Sequence, residues 1–230
     1  MTNTSGSAGR SPTILGTSLV GVLLAIAIAA VYIAPSEQTM GDAQRVMYVH
    51  ISVAWLALLG FAVMAICGWR YLVTRNLWWD QWAIAIGEVG WMCSTLTLVT
   101  GSLWAHAAWG TWWTWDPRLV TSFVLWAIYS GNLTLRSGLE DANTRARLCS
   151  VMAIIGLADV PLVVMATRWF RGVHPVSPDM EPAMRYTLVA NIAGWTALMI
   201  HLVVRRRRLL VLQSQVAELQ SLYETSQTQR

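Results

Sequence analysis

Five of the fourteen tryptophans, Trp104, Trp109, Trp112, Trp113 and Trp115, lie within twelve residues, and Asp116-Pro117-Arg118 follows at once. Trp is large, is seldom fully buried and suits a boundary between oil and water. One or two at a membrane interface are routine. The run WGTWWTWDPR goes further: it makes a broad aromatic platform with a carboxylate and a guanidinium at its edge. Such a surface suits a large planar ligand with acidic groups, for which a porphyrin is the obvious candidate. A porphyrin iron would take imidazole on either axial face. Its acidic groups would want arginine, whose planar fork matches a carboxylate. The residues to place are therefore the platform, the four histidines and the arginines.

The elements that must position them are membrane helices. Of the 230 residues, 55% are hydrophobic and only 12% charged, about half the charged share of soluble domains. The apolar residues fall in blocks of roughly 20, enough to span a bilayer as helices. Six spans are expected, 14–34, 46–69, 82–105, 119–135, 148–169 and 184–204, in an all-α integral membrane protein. The first resembles a signal peptide but is longer than a signal h-region, and is read as a retained span. The net charge of +4 speaks to orientation and not to nucleic acid. All sixteen basic residues are Arg. Eleven, including Arg70, Arg75, Arg136, Arg145, Arg147 and Arg205–Arg208, fall in alternate loops and at the termini; five, Arg45, Arg118, Arg168, Arg171 and Arg185, fall on the other side. The positive-inside rule then puts both termini in the cytoplasm and the tryptophan loop outside. Two parts are expected: a membrane domain over 1–204 with its outward loop at 105–118, and a basic, amphipathic cytoplasmic tail over 205–230. In the tail Leu209, Leu212, Val216, Leu219 and Tyr223 alternate by three and four. That is a short helix continuing the last span, or a docking stripe for a cytoplasmic partner.

With that topology the ligands can be sorted. His50, at the outer end of span two, and His174, in the last outer loop, share the platform's side of the membrane and flank it in sequence. A bundle could bring them to opposite faces of one flat ligand. Plain solvation is the simpler account of any single interfacial imidazole, and His106, beside the loop, competes for either place. His201 is on the inner side and is left as structural. Arg118 closes the tryptophan run and Arg45 lies five residues before His50, so both are candidate partners of ligand carboxylates, ahead of Arg171 and Arg185. The bland reading of all four is interfacial anchoring. Asp116 could accept an indole N–H, orient Arg118, or cap the fourth span, where Asp-Pro makes a good helix start. Glu88 and Asp159 lie within spans, where charge is costly. Glu88 is expected to reach the inner interface, and a kink at Pro161 to solvate Asp159. Cys67, Cys93 and Cys149 read as apolar fillers. No CxxCH occurs, so the chain does not itself attach c-type haem.

These residues resemble a known family. Trp109–Arg118 is similar to the tryptophan-rich WWD signature of the haem-handling proteins of cytochrome c biogenesis, CcmC, CcmF and CcsA. CcmF-type and CcsA-type proteins usually have more spans, so six in 230 residues resemble CcmC. RVMYVHISVAW at Arg45–Trp55, VTGSLW at Val99–Trp104 and EPAMR at Glu181–Arg185 agree. The resemblance implies that haem b is held non-covalently on the periplasmic face of the inner membrane and presented to a CcmE-type haem chaperone. It implies CcmA, CcmB and CcmD as partners in an ABC-type complex. It implies His50 and His174 as axial ligands, and Trp109, Trp112, Trp113, Trp115, Asp116 and Arg118 as the WWD motif. Ser52 stands where the family often has Pro, and Val120 where it usually has a hydroxyl. No nucleophile–base pair and no Walker lysine is available, so the chain is expected not to be an enzyme. Two other classes stay open. A b-type membrane oxidoreductase would want His pairs within the spans. A plain permease subunit would not need the tryptophan loop.

Overall fold

The computed structural model describes residues 11–37, 41–170, 172–174 and 180–228, with side chains from residue 15 onward. Seven α-helices follow one another: α1 Ser11–Ile33, α2 Arg45–Thr74, α3 Leu77–Trp109, α4 Pro117–Ser137, α5 Ala142–Gly156, α6 Asp159–Trp169 and α7 Pro182–Thr228. No strand occurs among the described residues. The fold is all-helical, and α5 with α6 forms one span in two pieces. Five stretches are long and apolar enough to cross a membrane: α1, α2, α3, α5–α6 and α7. The sixth expected span, α4, is the exception. It carries Arg118, Ser122, Ser130, Asn132 and Arg136, the last three of which bond to other helices of the bundle. Ser130 accepts from the Trp91 indole at 2.9 Å, and Asn132 donates to the Cys149 carbonyl at 2.9 Å.

Local chemistry sets the helix ends. The Asn76 side chain accepts from the Trp78 N–H at 2.9 Å and starts α3. Asp116 caps α4, with Pro117 in the first turn where its missing N–H costs nothing. The Asp141 carboxylate accepts the Thr144 N–H at 2.6 Å and starts α5. The break between α5 and α6 falls at Leu157–Ala158, where the Pro161 ring would clash with the Leu157 carbonyl of a continuous helix.

α2 is the centre of the bundle and forms a hairpin with α3 through a two-residue turn, Arg75-Asn76. Val53, Leu56, Phe61 and Met64 are buried among Ala83, Ile86 and Val89 of α3. Small residues such as Ala57, Ala65 and Ala83 let the backbones approach, the usual basis of helix packing in lipid. Tyr129 of α4 sets its ring edge-on to Phe61, centroids 4.8 Å apart, and donates to the Ala57 carbonyl at 2.8 Å. α5 packs on α2, whereas α6 turns away to α4. α1 rides on α7, held by the buried Asn191 amide donating to the Ala27 carbonyl at 3.2 Å, and exposes the rest of its surface.

The intramembrane carboxylates depart from expectation. Glu88 is clamped by both arms of the Arg206 guanidinium, one at 2.8 Å, and does not simply reach for water. Asp159 stands at the helix break but is 7% exposed, with Oδ2 unpartnered among the described residues. The kink is there; the solvation is not. All three cysteines are free and buried. The tail continues the last span as a helix: α7 runs unbroken from Pro182 to Thr228.

Candidate functional site

The end of the bundle carrying the tryptophan loop holds a cavity of about 360 Å³, within the ~300–1,000 Å³ range of small-molecule sites. α2, α3, α4 and α6 wall it, and the tryptophan loop and the 172–174 segment close one end. His50, His174, Arg118, Trp109 and Trp113 all line it. Residues distant in sequence thus converge on one apolar void with a few polar groups.

His50 is held from α3. Its Nδ1 lies 3.0 Å from the Thr100 hydroxyl, which itself donates to the Leu96 carbonyl at 2.6 Å. With that proton committed, Thr100 must accept from Nδ1–H, which leaves the lone pair on Nε2. A hydrogen bond to the far nitrogen is how proteins orient an imidazole that ligates metal. Gly101 makes the approach possible, since a Cβ there would lie 3.0 Å from the imidazole Cε1. The VTGSLW stretch is therefore the seat of His50: Thr100 and Gly101 hold the ring, while Ser102 and Trp104 line the cavity beside it.

His174 sits edge-on to Trp109, ring centroids 6.4 Å apart. Its segment rests on Asp116, which is 7% exposed and is absent from the cavity wall. Asp116 Oδ1 accepts the Arg118 N–H at 2.9 Å, and Oδ2 faces the His174 N–H at 3.5 Å. Both carboxylate oxygens of Asp116 thus face backbone N–H groups, and the helix-cap role expected of it is present. Arg118 reaches the cavity from the first turn of α4. It forms no salt bridge among the described residues, and its side chain makes no hydrogen bond there. A half-buried guanidinium facing an apolar void with no carboxylate in salt-bridge contact is a seat for an anion.

Other expected residues lie elsewhere. Trp112 is exposed and stacks on His106 with centroids 4.1 Å apart, so neither ring lines the cavity. Trp115 is 81% exposed and meets Trp113 edge-on. The platform is therefore divided: Trp109 and Trp113 face in, Trp112 and Trp115 face out. Arg45 is not part of the cavity wall. Its guanidinium donates to the Val31 and Tyr32 carbonyls at the end of α1 and pairs with Asp42 at 3.0 Å. The Ser36 hydroxyl and then Arg45 hold the Asp42 carboxyl below the usual carboxylate range. The five-residue spacing from His50 puts Arg45 more than one turn beyond the histidine and toward α1. Arg185 donates to the Met180 carbonyl at 3.0 Å, and Arg171 lies outside the described residues. His201 lies outside the cavity wall.

The cavity adds residues beyond the expected site. Trp104 of the tryptophan cluster contributes a ring; Trp55, not singled out from sequence, contributes another, and Ser94, Thr97 and Ser122 contribute hydroxyls. Trp55 was findable: with Ile51 and Leu58 it occupies positions three and four apart on the helix that carries His50.

The chain matches the family described as CcmC, Heme exporter protein C, over residues 4–222. It belongs to the CcmC family. It is 31% identical over 183 residues to Heme exporter protein C of Escherichia coli K12, covering 78% of this chain and 75% of the relative. The protein of that name from Bradyrhizobium diazoefficiens is 29% identical over 206 residues, 86% of this chain and 78% of the relative. A putative cytochrome c biosynthesis ccmC-like mitochondrial protein of Arabidopsis thaliana is 29% identical over 204 residues, covering 84% and 77%. Membership in CcmC makes the chain a multi-pass membrane protein of haem handling for cytochrome c maturation, a transport subunit and not an enzyme.

Proposed function

We propose that this chain holds haem b non-covalently in the cavity between α2, α3, α4 and α6, and hands it to a CcmE-type chaperone. The observation that carries this reading is the convergence of His50, His174 and the unpaired Arg118 on one aromatic-walled void. His50, through Nε2, and His174 ligate the iron. Trp109 and Trp113 cover the macrocycle, with Trp104 and Trp55 beside them. Arg118 takes a propionate. Haem is cargo: the chain binds, orients and releases it. Trp112 and Trp115, exposed at the mouth, offer rings to the chaperone or to the outer leaflet. CcmA, CcmB and CcmD complete the ABC-type assembly. ATP hydrolysis falls to a partner, since a chain without Lys has no Walker lysine. With both termini in the cytoplasm of a bacterial cell, the cavity opens on the periplasmic side of the inner membrane.

The test is the absorption and EPR spectrum of the purified, haem-loaded protein. His50→Ala and His174→Ala each convert a low-spin, two-imidazole spectrum to one of single ligation, and the double change removes most of the haem. His106→Ala and His201→Ala leave the spectrum in place. Full haem retention with His50 and His174 both gone overturns the assignment.

A further inference from the structure

We infer that Asp116 is a positioning residue, a latch that sets His174, and does not contact haem. The inference rests on the haem site proposed above and adds a role for a carboxylate outside its wall. Each oxygen of Asp116 has its own task. Oδ1 accepts the Arg118 N–H and starts α4, which aims the Arg118 side chain into the cavity. Oδ2 faces the His174 N–H. One buried carboxylate thus joins the end of the tryptophan loop, the start of α4 and the segment bearing the second imidazole.

Gly172 reports the closeness of that contact independently. A Cβ on Gly172 would land on the carboxylate, 2.7 Å from Asp116 Cγ and closer still to Oδ2. The segment can lie against Asp116 only because residue 172 has no side chain. His174 needs such a hold, because it comes from an irregular segment and not from a helix. His50 is fixed by α2 and by Thr100. Losing one hydrogen bond to a charged acceptor shifts an equilibrium by roughly tenfold or more.

Asp116→Asn separates the two tasks. The amide oxygen keeps the α4 cap, and the NH₂ group replaces the acceptor that faces the His174 N–H, so the variant folds and loses the latch. The full-length protein, purified and loaded with haem, is compared with His174→Ala. Asp116→Asn is expected to cut the low-spin, two-imidazole fraction about tenfold, and millimolar imidazole to restore it by filling the vacated axial place. Gly172→Ala gives the same spectrum in the wild-type background and changes it less than twofold in Asp116→Ala, where no carboxylate is left to strike. A wild-type spectrum in Asp116→Asn and Gly172→Ala, with His174→Ala altered, overturns the latch alone. So does an equal effect of Gly172→Ala in both backgrounds. An unaltered His174→Ala spectrum removes the second ligand, and the latch with it.

Discussion

The two ends of α3, inner and outer in the orientation proposed above, use the same residue types to opposite ends. At the inner end Trp78, Trp79 and Trp82 carry arginines on their ring faces: Arg207 lies over Trp78 and Trp82, at 5.0 and 4.7 Å from the ring centroids, and Arg70 over Trp79 at 5.1 Å. Arg206 clamps Glu88, and Arg136 pairs with Asp80 at 2.8 Å with both side chains under 10% exposed. At the outer end Trp104, Trp109 and Trp113 border a void, and Arg118 forms no salt bridge among the described residues. Tryptophan and arginine together do not make a binding site. What separates the ends is whether ring faces and cation are satisfied within the chain.

That contrast can be broken from either side. The largest effect falls at the inner end. Removing one member of a buried ion pair strands the other and costs about 3–5 kcal/mol. Arg136→Ala or Asp80→Ala should therefore lower the thermal midpoint sharply, while the fraction that remains folded keeps its haem affinity. Arg118→Ala should do the reverse, with stability nearly unchanged and affinity reduced. If Arg136→Ala weakened haem binding in the folded fraction, the two ends would not be separable.

A smaller effect sharpens the outer end. Each lost aromatic contact is worth about 1 kcal/mol, so Trp109→Ala or Trp113→Ala should weaken haem several-fold by Soret titration. Trp112→Ala and Trp115→Ala should leave binding nearly intact. If they affect anything, it should be transfer to the chaperone. Equal losses at all four positions would mean that the loop acts as one surface and not as two faces.

The bundle was largely legible in the sequence, because apolar blocks of membrane length leave the backbone little choice. Where the reading slipped, the reasons are specific. α3 begins at Leu77 and not at 82 because Trp78-Trp79-Asp80 looks like a loop, although Asn76 was a readable cap. α5 begins at Ala142 and not at 148, with Asp141 as an equally readable cap. In the site, the two histidines and Arg118 could be named from type, side and spacing. The division of the platform could not: which indoles face inward depends on the turn between Gly110 and Asp116, and no helical or strand period governs it. Nor could Arg45 be placed. Its partners, the carbonyls ending α1, leave no trace in side-chain pattern.

The central claim is that the unpaired Arg118 marks the site by holding an acidic group of its cargo. The direct measurement is a cycle of four affinities read from the Soret band: haem and its dimethyl ester, each with wild type and with Arg118→Ala. Hydrogen bonds to a charged partner are worth about 1.5–3 kcal/mol. Arg118→Ala should therefore weaken haem by about 10- to 100-fold and weaken the ester little, leaving a coupling of that size. Equal losses for both ligands would contradict the account, and would return Arg118 to the role of an interfacial anchor.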